Sequence, residues 1–273
     1  MPSGFLNATL LICQFELKRL FFTRKGQLSL ITFAIVWYFI LLYPIRFSAD
    51  IFAQNQHSTQ GSSFFEFIGF GALLNWKIPE FGVYWRFALI MFPLLCITIA
   101  SDQSCSDRER GTLRFLCLRA SRDSLFLGRF VGVMTIQTLL ILVTVLTTLI
   151  LAIYRDINLL PIALNSATAI AVNLVLILLP FTAMMAALSV SVKSARQATV
   201  WAILIWSFLA GIISGLSYYL PALAHLKILI PGYQMADLAQ LAEWQTLELA
   251  YIPLLQSLVF LAIGRWIMSR QSL

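Results

Sequence analysis

The chain has 273 residues, 60% hydrophobic and 11% charged, with 19 basic against 12 acidic residues and a formal net charge of +7. That apolar share lies well above the roughly 45–50% of soluble domains, which excludes an ordinary soluble fold and makes a bilayer the expected solvent. The positive charge sits between apolar stretches rather than in one patch, so it reads as membrane orientation and not as a nucleic-acid surface.

Residues 7–23 read as a basic amphipathic helix. Asn7, Gln14, Lys18 and Lys25 recur at helical spacing, while Leu10, Leu11, Leu17, Phe21 and Phe22 supply apolar surface. Such a helix before a span lies in the membrane interface, either as a plain anchor or as an elbow that also touches a partner. Lys18 and Arg19 follow Leu10, Leu11 and Ile12, the reverse of the order in a cleavable signal peptide.

The first span is expected over 26–45, which contains no Asp, Glu, Lys or Arg. An external segment, 46–83, follows. Its centre at 54–63 is a polar loop, whereas Phe64, Phe65, Phe67, Phe70 and Trp76 suit an interfacial helix or cap. The second span, 84–101, is short; Arg86 reaches outward and leaves Tyr84 and Trp85 as interfacial aromatics.

Residues 102–128 hold the densest charge, with Asp107, Arg108, Glu109 and Arg110 consecutive. Gly111 and Thr112 offer a break, and Leu113 to Arg119 form a short surface helix. Ser121 is a natural N-cap for a helix beginning at Arg122, and Asp123 suits its dipole. Spans three and four occupy 129–153 and 161–190, with Pro180 the place for a kink. Their polar residues, Thr135, Gln137, Thr138, Thr144, Thr147, Thr148, Asn165, Ser166, Thr168 and Asn173, are expected to hydrogen-bond between helices. Span five, 198–220, carries a small-residue face of Gly211, Ser214, Gly215 and Ser217, for the bundle or for a dimer contact. Segment 221–247 breaks at Pro231-Gly232 and resumes helical spacing from Met235 to Trp244. It reads as a re-entrant or surface-lying helical pair, or as a long loop. Span six covers 248–268.

Six spans place both termini on one side. The basic residues of 18–25, 108–129 and 193–196, with Arg265 and Arg270, then share that side. Arg46, Lys77, Arg86, Arg155 and Lys227 remain opposite, so the termini are expected in the cytoplasm.

Several chemistries are missing. The sequence contains no G-x-x-x-x-G-K-[ST] and no H-E-x-x-H motif, and no acid falls in the interior of an expected span, Glu248 standing at the first position of span six. ATP hydrolysis by this chain, ion-coupled transport and metal-dependent proteolysis are thereby disfavoured. Cys13, Cys96, Cys105 and Cys117 form no metal pair and are expected as reduced thiols. His57 and His225 are expected as solvated residues, so no metal site is assigned.

The run Asp107-Arg108-Glu109-Arg110-Gly111-Thr112-Leu113, then Arg119-Ala120-Ser121-Arg122, then Leu127-Gly128-Arg129-Phe130-Val131-Gly132 resembles the permease subunits of type-2 ABC transporters. Those permeases show an acidic-basic-acidic run ending in Gly-Thr-Leu, a Ser-Arg turn, and Leu-Gly-Lys entering the third span; Arg129 stands at the usual Lys. The nearest flavour is the small permeases that include the nitrous-oxide-reductase maturation permease. The resemblance implies an all-α integral membrane protein: one permease domain over 1–273 with six transmembrane helices, an interfacial N-terminal helix, a cytoplasmic coupling helix between spans two and three, and a re-entrant or surface helical segment before span six.

It further implies a homodimer in the bacterial cytoplasmic (inner) membrane, bound by two copies of an ABC ATPase that would carry ATP and magnesium. Asp107, Arg108, Glu109 and Arg110 would then make charged contacts to the ATPase, Gly111 and Thr112 the bend, and Leu113, Phe115 and Leu116 the apolar docking surface. Lys18, Arg19, Lys193 and Arg196 would form a second cytoplasmic contact. The expected function is export driven by the partner ATPase. The alternative is a mechanical transmitter that passes ATPase motion to a periplasmic or envelope partner without moving a cargo. A lipid-modifying enzyme ranks below both, because no nucleophile–base pair or metal set is present. No residue is assigned to a cargo.

Overall fold

The computed structural model describes residues 2–47, 76–219, 227–241 and 243–270. The segment expected as a loop at 54–63, the aromatic residues from Phe64 to Phe70, and both His57 and His225 lie outside the described residues, whereas Trp76 is described and is buried. Described residues form helices and no strands, and six helices are long and apolar enough to cross a membrane. The chain is an all-α multi-pass membrane protein.

Helix α1 (Pro2–Phe22) meets α2 (Arg24–Ile40) at Thr23, whose hydroxyl accepts the Gly26 amide at 3.2 Å. The first span ends in a π-turn, Leu41–Ile45, where Pro44 has no N–H to give the regular ladder. Helix α3 (Pro79–Ala100) forms the second span. Two short helices follow, α4 (Cys105–Glu109) and α5 (Leu113–Arg119). Helices α6 (Arg122–Arg155) and α7 (Leu160–Ser191) form spans three and four, and α8 (Ala195–Tyr219) forms span five. A one-turn helix α9 (Met235–Leu238) and a 3₁₀ stretch, Glu243–Leu249, precede α10 (Tyr251–Arg270).

The centre of the bundle is α7, which packs against α3, α6, α8 and α10. It carries small residues on its inner sides (Ala163, Ala167, Ala183, Ala186 and Ala187 are buried), so neighbouring backbones come close. Pro180 lies inside this continuous helix. Polar span residues settle mostly into their own helices or between helices. Thr135, Thr138, Thr147 and Thr168 donate to the carbonyl four residues back. Between helices, Tyr84 and Thr144 hydroxyls lie 2.8 Å apart, and Thr182 donates to Gln137 at 2.9 Å.

Residues 227–241 and 243–250 are built into the bundle. Ile230, Gln234, Leu238 and Ala239 are buried, and Gly232 takes a positive φ of 85° at the sharp break. Trp85 donates its indole N–H to the Leu238 carbonyl at 3.0 Å, Trp206 donates to Pro231 at 2.9 Å, and Gln256 donates to Ile230 at 3.0 Å. Nearby, Glu80 is buried and takes two contacts from Arg155, at 2.9 and 3.2 Å. Helix α3 therefore begins five residues before the expected span start at 84 and brings an acid into the bundle end, where its burial is compensated by a guanidinium.

Helix α1 runs beside the start of α6. Cβ atoms added at Gly128 and Gly132 would stand 2.9 Å from Ile12 Cβ and 3.0 Å from Glu16 Cβ, so this Gly-x-x-x-Gly pair forms the groove in which α1 lies. Cys13, Glu16 and Leu20 are buried on that side, while Asn7, Gln14 and Lys18 face outward among Leu10, Leu11 and Phe15. Cys13 Sγ lies 3.7 Å from Thr135 Oγ1. A Thr135→Cys variant should thus form an oxidant-induced disulfide with Cys13. Adding Gly128→Leu and Gly132→Leu should abolish that cross-link, because overpacking at about 1–3 kcal/mol per site displaces α1; gel mobility after cleavage between the two positions reads the outcome.

Candidate functional site

Segment 102–128 folds as helix, break, short helix, break, long helix. Gly111 sits at φ 69°, a left-handed turn that suits glycine, between α4 and α5. Ser121 has extended backbone and its hydroxyl accepts the Ser124 amide at 3.1 Å, capping α6. Asp123 in the first turn pairs with Arg265 at 2.7 and 3.1 Å, and Arg122 donates to the Met268 and Ser269 carbonyls at the end of α10.

One buried guanidinium organises the inner side. Arg129, 3% exposed, pairs with Asp107 and donates to the Gln103 carbonyl. Its Nε faces Glu16 Oε1 across 4.0 Å. Arg19, on α1, pairs with Asp102 and stands 3.6 Å from Glu16. Asp102 accepts from the Ser106 amide at 3.0 Å, and Asp107 accepts from the Thr112 hydroxyl at 2.9 Å. Arg108 donates to the Val190 carbonyl at 2.7 Å, at the end of α7. The base of the segment is thus bonded to α1, α6 and α7.

The site residues expected from the sequence divide into two groups. Asp107, Arg108, Thr112 and Arg19 are committed to this internal network. Leu113 is 3% exposed and packs with Phe126, Phe130 and Met268 in an inner cluster. It anchors α5 to the bundle instead of facing outward. Glu109, Arg110, Lys18, Lys193 and Arg196 are exposed. On α5, Phe115 is 71% exposed and Leu116 sits at the margin of exposure. Leu118, 83% exposed and one helical turn from Phe115, is the prominent apolar residue that sequence reasoning missed. Its signal was present: an apolar residue at i+3 from Phe115, between Arg114 and Arg119, on a short helix. Glu16 and Asp102 were also missed. Glu16 is the lone acid on the buried side of α1, in register with Thr9, Cys13 and Leu20.

Among the described residues, no group of three His, Cys, Asp or Glu side chains is placed to hold a metal ion. A family model described as ABC-2 family transporter protein matches residues 20–272. The chain belongs to the ABC-2 transporter family. No curated protein matches it. As an ABC-2 family member it is the membrane permease component of an ABC transporter, a transport component rather than a catalyst, and the family implies an ABC ATPase as partner. In this permease the match takes in the whole of segment 102–128 and the Arg129 network apart from Glu16 and Arg19, which precede residue 20.

Burial pushes the Glu16 carboxyl above the usual carboxylate range; Arg19 and Arg129 pull it back without cancelling the desolvation. The folded chain therefore holds this proton more tightly than the unfolded chain. Stability should fall as pH rises from about 4.3, the ordinary glutamate value, to the raised one, and Glu16→Gln should flatten that slope in detergent melting curves. At neutral pH, Arg129→Ala should destabilise the chain by about 3–5 kcal/mol, since Asp107 is left without its buried partner. The Arg129→Met/Asp107→Leu pair should lose less than that single change, measured the same way.

Proposed function

We propose that this permease is one half of a homodimeric exporter in a bacterial cytoplasmic (inner) membrane, with both termini and segment 102–128 in the cytoplasm. Two copies of a partner ATPase, which bind ATP and magnesium, drive it by loading α5. The observation that carries this reading is the pair Phe115 and Leu118, two large apolar side chains held in the open by a helix whose base is bonded into the bundle. Burying each in a partner groove would contribute about 1.5–3 kcal/mol. Exposed ion pairs contribute roughly 0–1 kcal/mol, so Glu109, Arg110, Arg114 and Arg119 set register and partner choice more than affinity.

Lys193 and Arg196 form a second contact beside the first; Ala195 between them lines the same cavity as Arg110. Arg19 drops out of that second contact because its guanidinium is engaged with Asp102 and Glu16. For the second copy of the chain, α8 offers Gly211 and Gly215, where an added Cβ would meet nothing within 4 Å. That open small-residue face suits close approach of another span. Within the family we place the chain with the small permeases that include the nitrous-oxide-reductase maturation permease, on the Gly-Thr-Leu and Leu-Gly-Arg runs.

The test is affinity purification from membranes. Phe115→Asp/Leu118→Asp should lose the co-purifying ATPase by more than about tenfold while keeping the wild-type melting temperature, as both residues are exposed. Retention of the ATPase by that variant would overturn the docking assignment. In proteoliposomes, ATPase activity stimulated by a cargo supports export; stimulation only by an envelope protein would instead make the chain a transmitter.

A further inference from the structure

A cavity of 640 Å³ opens between α1, the start of α2 and the end of α3, where the first two spans meet the basic end of the bundle. Its size suits a small organic ligand. Leu20, Val133 and Ile136 give it apolar wall, and Glu16 lies on the same wall. Glu16 is 6% exposed, and its Oε1 accepts no hydrogen bond among the described residues. The two other acids lining the cavity each have a close cation, Arg19 for Asp102 and Arg129 for Asp107. Glu16 only shares those cations, at 3.6 and 4.0 Å, so the inner cluster has one carboxylate more than it has guanidinium groups. At the mouth the balance reverses. Arg24 and Arg110 line the cavity, are exposed, and pair with no acid among the described residues.

The arrangement is an electrostatic complement to a zwitterion with an amine at one end and an anion at the other. A desolvated carboxylate favours a donor that brings both positive charge and N–H groups, and guanidinium groups favour phosphate. The level of the cavity, beside the residues at which span one begins, is that of lipid head groups. We propose that this cavity binds the amine–phosphate head group of an aminophospholipid, with the ammonium on Glu16 and the phosphate against Arg24 and Arg110. The proposal stands on the cavity and shares only Arg110 with the ATPase contact proposed above; the Glu16 and Ser29 substitutions used below leave that contact untouched.

Native mass spectrometry of the purified full-length chain, mixed with phosphatidylethanolamine, phosphatidylcholine or phosphatidylglycerol, tests it. Phosphatidylethanolamine should be retained about tenfold better than phosphatidylcholine, whose methylated amine has no N–H to donate. Glu16→Gln should erase that preference. Ser29→Phe, which fills the cavity from α2 and leaves the ion cluster intact, should erase it as well and guards against a folding defect in the first variant. Equal retention of the two lipids, or a preference that survives both substitutions, overturns the proposal. So does equally tight binding of soluble glycerophosphoethanolamine, which would make the ligand a free head group rather than a lipid.

Discussion

The guanidinium of Arg129 is the interaction on which the described site depends. A buried cation is tolerated only when acids and carbonyls surround it, and here Asp107 and Gln103 of segment 102–128 and Glu16 of α1 do so. Its position follows from the backbone on either side. Gly128 and Gly132 bring α1 close enough for Glu16 to approach, and the Gly111 turn returns the chain so that Asp107 sits above the start of α6. Arg19 then extends the same ion network to Asp102, the first acid after the second span.

This network holds the inner charges of the segment, Asp102, Asp107 and Arg108, and leaves Glu109, Arg110, Arg114 and Arg119 exposed. A connection between two spans could be made with a few residues. Segment 102–128 instead spends its inner residues on anchoring: Asp107 on Arg129, Arg108 on α7, Leu113 in an apolar cluster with α6 and α10. What remains outward is Glu109 and Arg110 with Arg114, Phe115, Leu116, Leu118 and Arg119 of α5, on a base that is fixed to the bundle. Anchored this way, α5 is tied to the ends of spans three, four and six rather than carried on a slack loop. At the other end, Trp85, Trp206 and Gln256 seat segment 227–241 on the spans by side-chain donation to its carbonyls. Irregular backbone is thereby satisfied where no ladder is available.

Much of the fold was legible because its signals are local. Charge-free runs give spans, Ser121 with Asp123 gives the start of α6, and Gly111 gives the break between α4 and α5. The side of a short helix that faces inward is a different kind of fact. Leu113, Leu116 and Leu118 are equivalent by composition, and only the packing of α5 against Phe126 and Met268 makes Leu113 an anchor and leaves Leu118 open. Glu16 illustrates the same point. On a basic helix near a span an acid looks like one more interfacial charge, and its burial depends on two glycines more than a hundred residues later. The choice between a loop and a packed segment at 227–249 likewise rested on long-range donors, such as Trp85, that periodicity does not register.

The most direct test of this division between anchoring and docking residues is site-specific photocrosslinking in membranes that contain the partner ATPase. A photoreactive amino acid would be placed in turn at Phe115, Leu118 and Leu113. The account predicts cross-links to the ATPase from positions 115 and 118, and only intramolecular products from position 113. An ATPase cross-link from position 113, or none from the other two, would contradict it.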